Sequence, residues 1–160
     1  MTVVLREVTK EDLPIFFEHQ LDPEATRMAA FPSRDHDAFM AHWAKIMRNE
    51  TGLLNTILAD DAVAGNIVYW EAEGEANIGY WLGQTHWGKG IASSALAQFL
   101  TKIKTRPLYA HVAKHNFASI RVLQKCGFQP AQENTGDGEE LVMELRSERA
   151  VTAADIPGET

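Results

Sequence analysis

The chain has 160 residues, with 15 Lys and Arg against 22 Asp and Glu for a formal net charge of -7; hydrophobic residues make up 45% and charged residues 23%. That balance describes one soluble domain large enough to bury a core, with no room for a second catalytic domain, and it argues against a nucleic-acid backbone as partner because no basic cluster gathers along one helix. No apolar run approaches membrane-spanning length, MTVVLREVTKED lacks the apolar core and cleavage signature of a secretory signal, and the lone Cys126 excludes an internal disulfide and a Cys-based metal cluster. These features point to the cytoplasm and away from a membrane.

Val3, Leu5 and Val8 with interleaved polar residues predict a first strand, and Thr9 with Asp12 three positions later predicts a helix start. Leu13, Phe16, Phe17 and Gln20 or Leu21 carry that helix, which Pro14 delays slightly; Asp22-Pro23 ends it or marks a joint. Met28 to Asp37 reads as a connection, either shaping a substrate pocket or packed as a loop, followed by an amphipathic helix through Phe39, Trp43, Ile46 and Met47. The runs LLNTILA and AGNIVYW, with a turn at Asp60-Asp61 and another at Glu73-Gly74-Glu75, predict an antiparallel meander leading into a central strand.

That strand opens the stretch around which the chain is organised, NIGYWLGQTHWGKGIASSALAQFL from Asn77 to Leu100. Ile78, Tyr80 and Leu82 alternate at strand spacing, whereas Ala92, Ala95, Leu96, Phe99, Leu100 and Ile103 recur at helix spacing. Between them, Gly88-Lys89-Gly90 lets the backbone turn tightly ahead of helix N–H groups that lack intrahelical partners, an arrangement suited to phosphate. An ordinary glycine turn fits the spacing equally well. A dinucleotide fingerprint lacks its third glycine, and a P-loop pattern is absent.

Leu108 to Ala113 forms the next strand, parallel to the last across the helix, which makes a βαβ unit. Asn116 caps a helix through Ile120, Val122, Leu123 and Cys126 that stops at Gly127, and two β runs, Phe128 to Glu133 and Glu140 to Leu145, flank the turn NTGDGE. Residues 1–146 are expected to form the domain and 147–160 a flexible tail.

From Val3 to Leu145 the order of elements resembles the GCN5-related N-acetyltransferase (GNAT) family, and two motifs carry the likeness. GYWLGQTHWGKGIASSAL resembles the acetyl-CoA pyrophosphate loop, especially that of the ribosomal-protein N-terminal acetyltransferase-like branch, and HNFASIRVLQKCGF resembles the Asn-x-x-Ser helix on the cofactor's thiol side. The resemblance implies an α/β fold in which a mixed central sheet of about six to seven strands is flanked by about four helices, with splayed parallel strands holding the cofactor. It implies acetyl-CoA as cosubstrate, without a metal, held by backbone N–H groups around Gly88, Lys89, Gly90, Ile91, Ala92 and Ser93 and by residues near Trp81, Leu82, Trp87, Asn116 and Ser119. A main-chain N–H near Trp81 or Leu82 would polarise the thioester carbonyl.

Two positions depart from the family pattern. Thr85 stands where many members have a phosphate-contacting Gln or Arg, and Leu123 stands where many have a Tyr that protonates the departing thiolate. Ser119 is the nearest replacement on the motif for that acid, its other reading being an ordinary first-turn residue. Candidate bases are Glu71, Glu73 and Glu75, taken to lie at the meander's substrate end, together with Tyr80 and His111; a water relay is preferred. His111 and His115 straddle a strand end and do not suggest a metal site, and Trp70, Trp81, Tyr69, Tyr80 and Cys126 fit a packed core.

The sequence thus implies transfer of acetyl from acetyl-CoA to a primary amine of a small molecule or peptide N-terminus by direct attack, in a monomer or homodimer. The alternative is a catalytically silent acetyl-CoA-binding sensor or regulatory module, which Leu123 keeps open; a nucleotide-binding domain is a weaker third.

Overall fold

The computed structural model describes residues 1–131 and 138–146. Five short segments with period-two patterning, β1 (Val3–Glu7), β2 (Leu53–Ala59), β3 (Ala62–Ala72), β4 (Glu75–Leu82) and β5 (Leu108–Ala113), join β6 (Gln129–Pro130) and β7 (Glu140–Leu145) in one sheet of order β1-β2-β3-β4-β5-β7-β6. All neighbours are antiparallel except β4 and β5. Those two are joined by the right kind of crossover for parallel strands, a helix α4 (Ile91–Leu100).

Side chains alternate between the two faces of the sheet, and each face has its own cluster. On one face, Ile57, Ile67, Ile78 and Leu108 pack with Leu96 and Phe99 of α4 and with Leu123 of α5 (Phe117–Lys125). On the other, Leu54, Val63 and Val68 meet Phe16 of α1 (Leu13–Leu21) and Phe39 and Trp43 of α3 (His36–Met47), whose rings lie 5.1–6.2 Å apart by centroid along Phe16–Trp43 and Phe39–Trp43. The register shift between Ile57 and Leu58 reconciles the alternation of β2 with that of β3.

The entry into α1 is fixed by a charged group inside the second layer. Asp12 is 2% exposed. It accepts from Arg6 through both guanidinium nitrogens (2.7 and 2.8 Å), from Thr56 Oγ1 (2.6 Å) and from the Thr9 backbone N–H (2.9 Å). Burial alone would raise its pKa, but these donors and the Arg6 charge outweigh it and hold the carboxyl well below the usual carboxylate range. Residues 10–12 form a 3-10 turn, so the α-helix itself starts at Leu13 with Pro14 in its first turn, where the missing N–H costs nothing.

The expected mixed sheet with its flanking helices is present, with five α-helices among the described residues; one of them, α2 (Pro23–Ala29), begins at Asp22-Pro23. Asp22 Oδ1 accepts from the Glu24 N–H at 3.2 Å and Pro23 occupies the first helical position, so the dipeptide that ends α1 also nucleates α2. One expectation needs correction: the carboxylates Glu71, Glu73 and Glu75, taken to lie at the substrate end, surround the β3–β4 turn, and β4 runs from there to Leu82, so they stand at the opposite end of β4 from the glycine loop. The proposed turn at 134–139 and the tail at 147–160 fall largely or wholly outside the described residues.

Candidate active site

Strands β4 and β5 pair at two positions, Ala76↔Leu108 and Asn77↔Tyr109, and at none beyond. From Ile78 to Leu82 the strand keeps its pairing with β3 while β5 turns to β7, which it follows along its full length. The sheet therefore opens toward the C-terminal ends of its parallel strands. On β3, Gly65 permits the close approach of β4 at this point, because a Cβ there would lie 2.0 Å from the Trp81 carbonyl oxygen.

A cavity of about 400 Å³ occupies the opening. Its floor is Tyr80, Trp81 and Leu82; one end is the loop from His86 to Gly90 with the first turn of α4, and one wall is α5 from Asn116 to Lys125. The other wall is α2, through Ala25, Met28 and Ala29. A bond of 2.7 Å between His115 Nε2 and the Arg27 carbonyl ties α2 to the chain just ahead of α5.

The loop has the geometry of an anion cradle. Gly88 and Gly90 take φ of 72° and 78°, the left-handed region that other residues enter at a cost. Gly90 is the N-cap of α4 and offers no side chain, so the N–H groups of Ile91, Ala92 and Ser93 find no partner within the helix. A Cβ at Gly88 would meet nothing within 4 Å, which leaves the space over the loop open. Trp87 fixes the loop to the strand by donating its Nε1–H to the Leu82 carbonyl at 3.1 Å.

Charge around the cavity runs against the acidic net charge of the chain. Arg121 and Lys125, one helical turn apart on α5, and His86 line it, and Lys89 stands exposed on the loop beside it. Burial and the neighbouring Lys89 push the His86 pKa down. His19, packed against Gly83 so closely that a Cβ there would lie 2.6 Å from its Nε2, is lowered by burial and then by His86.

Ten of the eleven residues that the sequence singled out for the cofactor line this one cavity: Trp81, Leu82, Trp87, Gly88, Gly90, Ile91, Ala92, Ser93, Asn116 and Ser119. Lys89 is the exception by contact, though not by position. Asn116 caps α5, its Oδ1 accepting from the Ser119 N–H at 3.2 Å. Ser119 Oγ lies 2.7 Å from the Tyr80 hydroxyl across the floor. Leu123, 2% exposed, belongs to the core and contributes nothing to the cavity. His111 pairs with Glu140 at 2.8 Å on the exposed side of β5, away from the cavity. Cys126 is buried with its thiol pushed up to about 11 by burial, an inert side chain at neutral pH.

The residues present fit a thioester of coenzyme A. The glycine loop supplies donors for a diphosphate, the parted edge of β4 supplies backbone groups for amides of a pantetheine arm, and Trp81 Nε1 is a buried donor with no partner among the described residues.

The profile of the acetyltransferase (GNAT) domain matches residues 2–129. The chain belongs to the GNAT family. It is an N-acetyltransferase dependent on acetyl-CoA, similar to the uncharacterized N-acetyltransferase p20 of Bacillus licheniformis, with 30% identity over 141 residues covering 79% of each chain. In fold, this GNAT protein resembles spermidine N-acetyltransferase from Vibrio cholerae, solved with CoA and spermine, at a TM-score of 0.76 and 17% identity over 94% of this chain and 98% of that one. It also resembles ribosomal-protein-alanine N-acetyltransferase from Brucella melitensis at a TM-score of 0.73 and 18% identity, covering 90% and 99% of the two chains. Among the described residues of the GNAT domain, no helix is long and apolar enough to cross a membrane.

Sequence reasoning missed the α2 helix as a wall, and Arg121, Val122 and Lys125; of the candidate bases it named, Tyr80 does lie in the floor. The spacing of Ala118, Arg121, Val122 and Lys125, which repeats at three and four residues from a recognised N-cap, held the α5 contribution in plain view.

Proposed function

We propose that the protein transfers acetyl from acetyl-CoA to a primary amine, on a small molecule or at a peptide N-terminus, by direct attack within a single complex. The observation that carries this reading is the coincidence of an anion cradle at Gly88–Ser93 with a gap between β4 and β5 that opens toward the same strand end. Backbone N–H groups of the loop receive the diphosphate, and Lys89, Arg121 and Lys125 raise the local positive potential. The pantetheine arm pairs with the free edge of β4, which leads the thioester to the floor near Trp81 and Leu82, where a main-chain N–H polarises its carbonyl.

Catalysis on this reading is chiefly positioning. The amine nitrogen attacks the carbonyl carbon, the C–N bond forms, and the C–S bond breaks with its electron pair passing to sulfur. The proton of the amine leaves through water. Ser119, on the cavity wall, offers its hydroxyl to the developing thiolate. Two of the proteins similar in fold are described as acetylating spermidine and a ribosomal protein's alanine, which supports an amine acceptor without choosing its class. The buried, unpaired Cys126 suits a reducing cytoplasm.

The test is release of free CoA thiol from acetyl-CoA in the presence of a panel of polyamines, amino acids, amine antibiotics and short peptides. At least one acceptor is expected to raise release well above hydrolysis. Tight CoA binding with no turnover across the panel would instead favour a silent cofactor-sensing module.

A further inference from the structure

Position 123, where the family resemblance places a tyrosine acid, holds a leucine packed in the core. A tyrosine nevertheless reaches the same cavity from a different element. Tyr80 projects from β4 in the segment where β5 has already turned away, and its hydroxyl lies 2.7 Å from Ser119 Oγ on the facing helix. A helical serine commonly spends its hydroxyl hydrogen on a carbonyl one turn back. Ser119 does not: among the described residues its Oγ bonds to Tyr80, and the backbone N–H of Ser119 goes to the Asn116 cap.

We infer that Tyr80 is a positioning residue for the chemical step: its phenol donates to Ser119 Oγ and so turns the serine's own hydroxyl hydrogen toward the cofactor sulfur. The inference rests on the acetyl-transfer reading above and assigns the direction of one hydrogen bond within it. A phenol is the better donor of the two hydroxyls, and the serine oxygen, with two lone pairs, can accept while still donating. Burial pushes the Tyr80 pKa up to about 12, with Ser119 lowering it and the adjacent Cys126 raising it. An ordinary thiol sits near about 8.5, so Tyr80 keeps its proton and supplies a hydrogen bond only. As the C–S bond breaks, the Ser119 O–H stabilises the thiolate, Tyr80 polarises that O–H, and the sulfur then takes a proton from water.

The experiment compares Tyr80→Phe, Ser119→Ala and the double variant with wild type, measuring kcat, KM for acetyl-CoA and calorimetric CoA affinity. Each single change is expected to lower kcat about 10-fold, as loss of one hydrogen bond made in the transition state does, with CoA affinity held within about twofold. The double variant is expected to match the singles within about twofold, since the two hydroxyls act as one unit. Losses that multiply, or an unchanged kcat in Tyr80→Phe while wild type is active, would overturn the inference and leave acetyl transfer standing; a wild type inactive on every amine sinks both.

A near-isosteric change guards against misfolding. With difluorotyrosine at position 80 the phenol ionises at lower pH and can no longer donate, so the alkaline fall in kcat should move to lower pH. Cys126 beside it, and His86, Arg121 and Lys125 around the cavity, are unaltered in that variant. An unmoved pH profile would overturn the inference.

Discussion

The antiparallel half of the sheet, β1 to β4, and the junction between β4 and β5 are built on opposite terms. In the first, neighbouring strands pair along most of their length: β2 pairs with β3 over residues 53–59, with one register shift after Ile57, and β3 with β4 over 65–72, with apolar layers on both faces and a buried carboxylate saturated by four donors. In the second, two paired residues are followed by a cavity, and the loop that closes it leaves helix N–H groups without partners. One region satisfies its own polar groups; the other holds them in reserve. Stability and ligand binding should therefore respond to different substitutions.

Asp12→Ala should show the largest effect, on the stable side. It leaves the buried Thr56 hydroxyl and the Thr9 N–H without their acceptor and releases the part-exposed Arg6, and is expected to cost about 3 kcal/mol, read by urea unfolding, with CoA affinity little changed in the folded fraction. The pH dependence follows from the sign of the shift. The folded pKa lies below the unfolded one, so the stabilisation is complete above about 4, the unfolded value, and drains away as pH falls toward the folded pKa. Asp12→Asn should lose that acid-limb contribution in unfolding curves taken at successive pH values. An unaltered acid limb would remove Asp12 from the account.

Gly90→Val should be the complement. A branched side chain at φ of 78° strains the backbone and stands in the cradle, so calorimetric CoA affinity should fall more than about 100-fold while the melting temperature drops only modestly. Retained binding would break the comparison outright. Removing both Arg121 and Lys125 as alanines should weaken CoA binding about 10-fold and flatten its dependence on salt, since both are exposed charges that act through a screened field. Smallest of all, converting Glu71, Glu73 and Glu75 to Gln at the closed end should leave CoA affinity within about twofold.

The distance between those carboxylates and the cradle was available from chain direction. β4 begins at Glu75 and delivers Leu82 to the glycine loop seven residues later, so the two ends of one strand are about 23 Å apart and cannot both face the ligand. These carboxylates were expected at the substrate end; strand polarity places them at the other. The cradle itself was legible because a change of period coincides with two glycines at 88 and 90, and the same coincidence does not depend on distant contacts. The α2 helix was not read, although Asp22-Pro23-Glu24 carries an N-cap and a first-position proline; seven residues give too little periodicity to stand against a proline taken as a stop. Tyr80 was read both as a candidate base and as packed core, because alternation assigns it to the buried face, and only the departure of β5 converts that face into a floor. Local patterns disclose elements, whereas the absence of a neighbour is decided by the whole sheet.

The seam between β4 and β5 is stitched at one end only, by residues 76–77 and 108–109. A guest whose amides lie along the unstitched stretch acts as a borrowed thread, and the fabric becomes continuous only while the guest is present. Interior strands ordinarily exchange their amide hydrogens last, but here the alternate amides of residues 78–82 that point away from β3 should exchange early in the empty protein and slow sharply when CoA is added, so that the middle of this molecule, rather than its rim, reports occupancy.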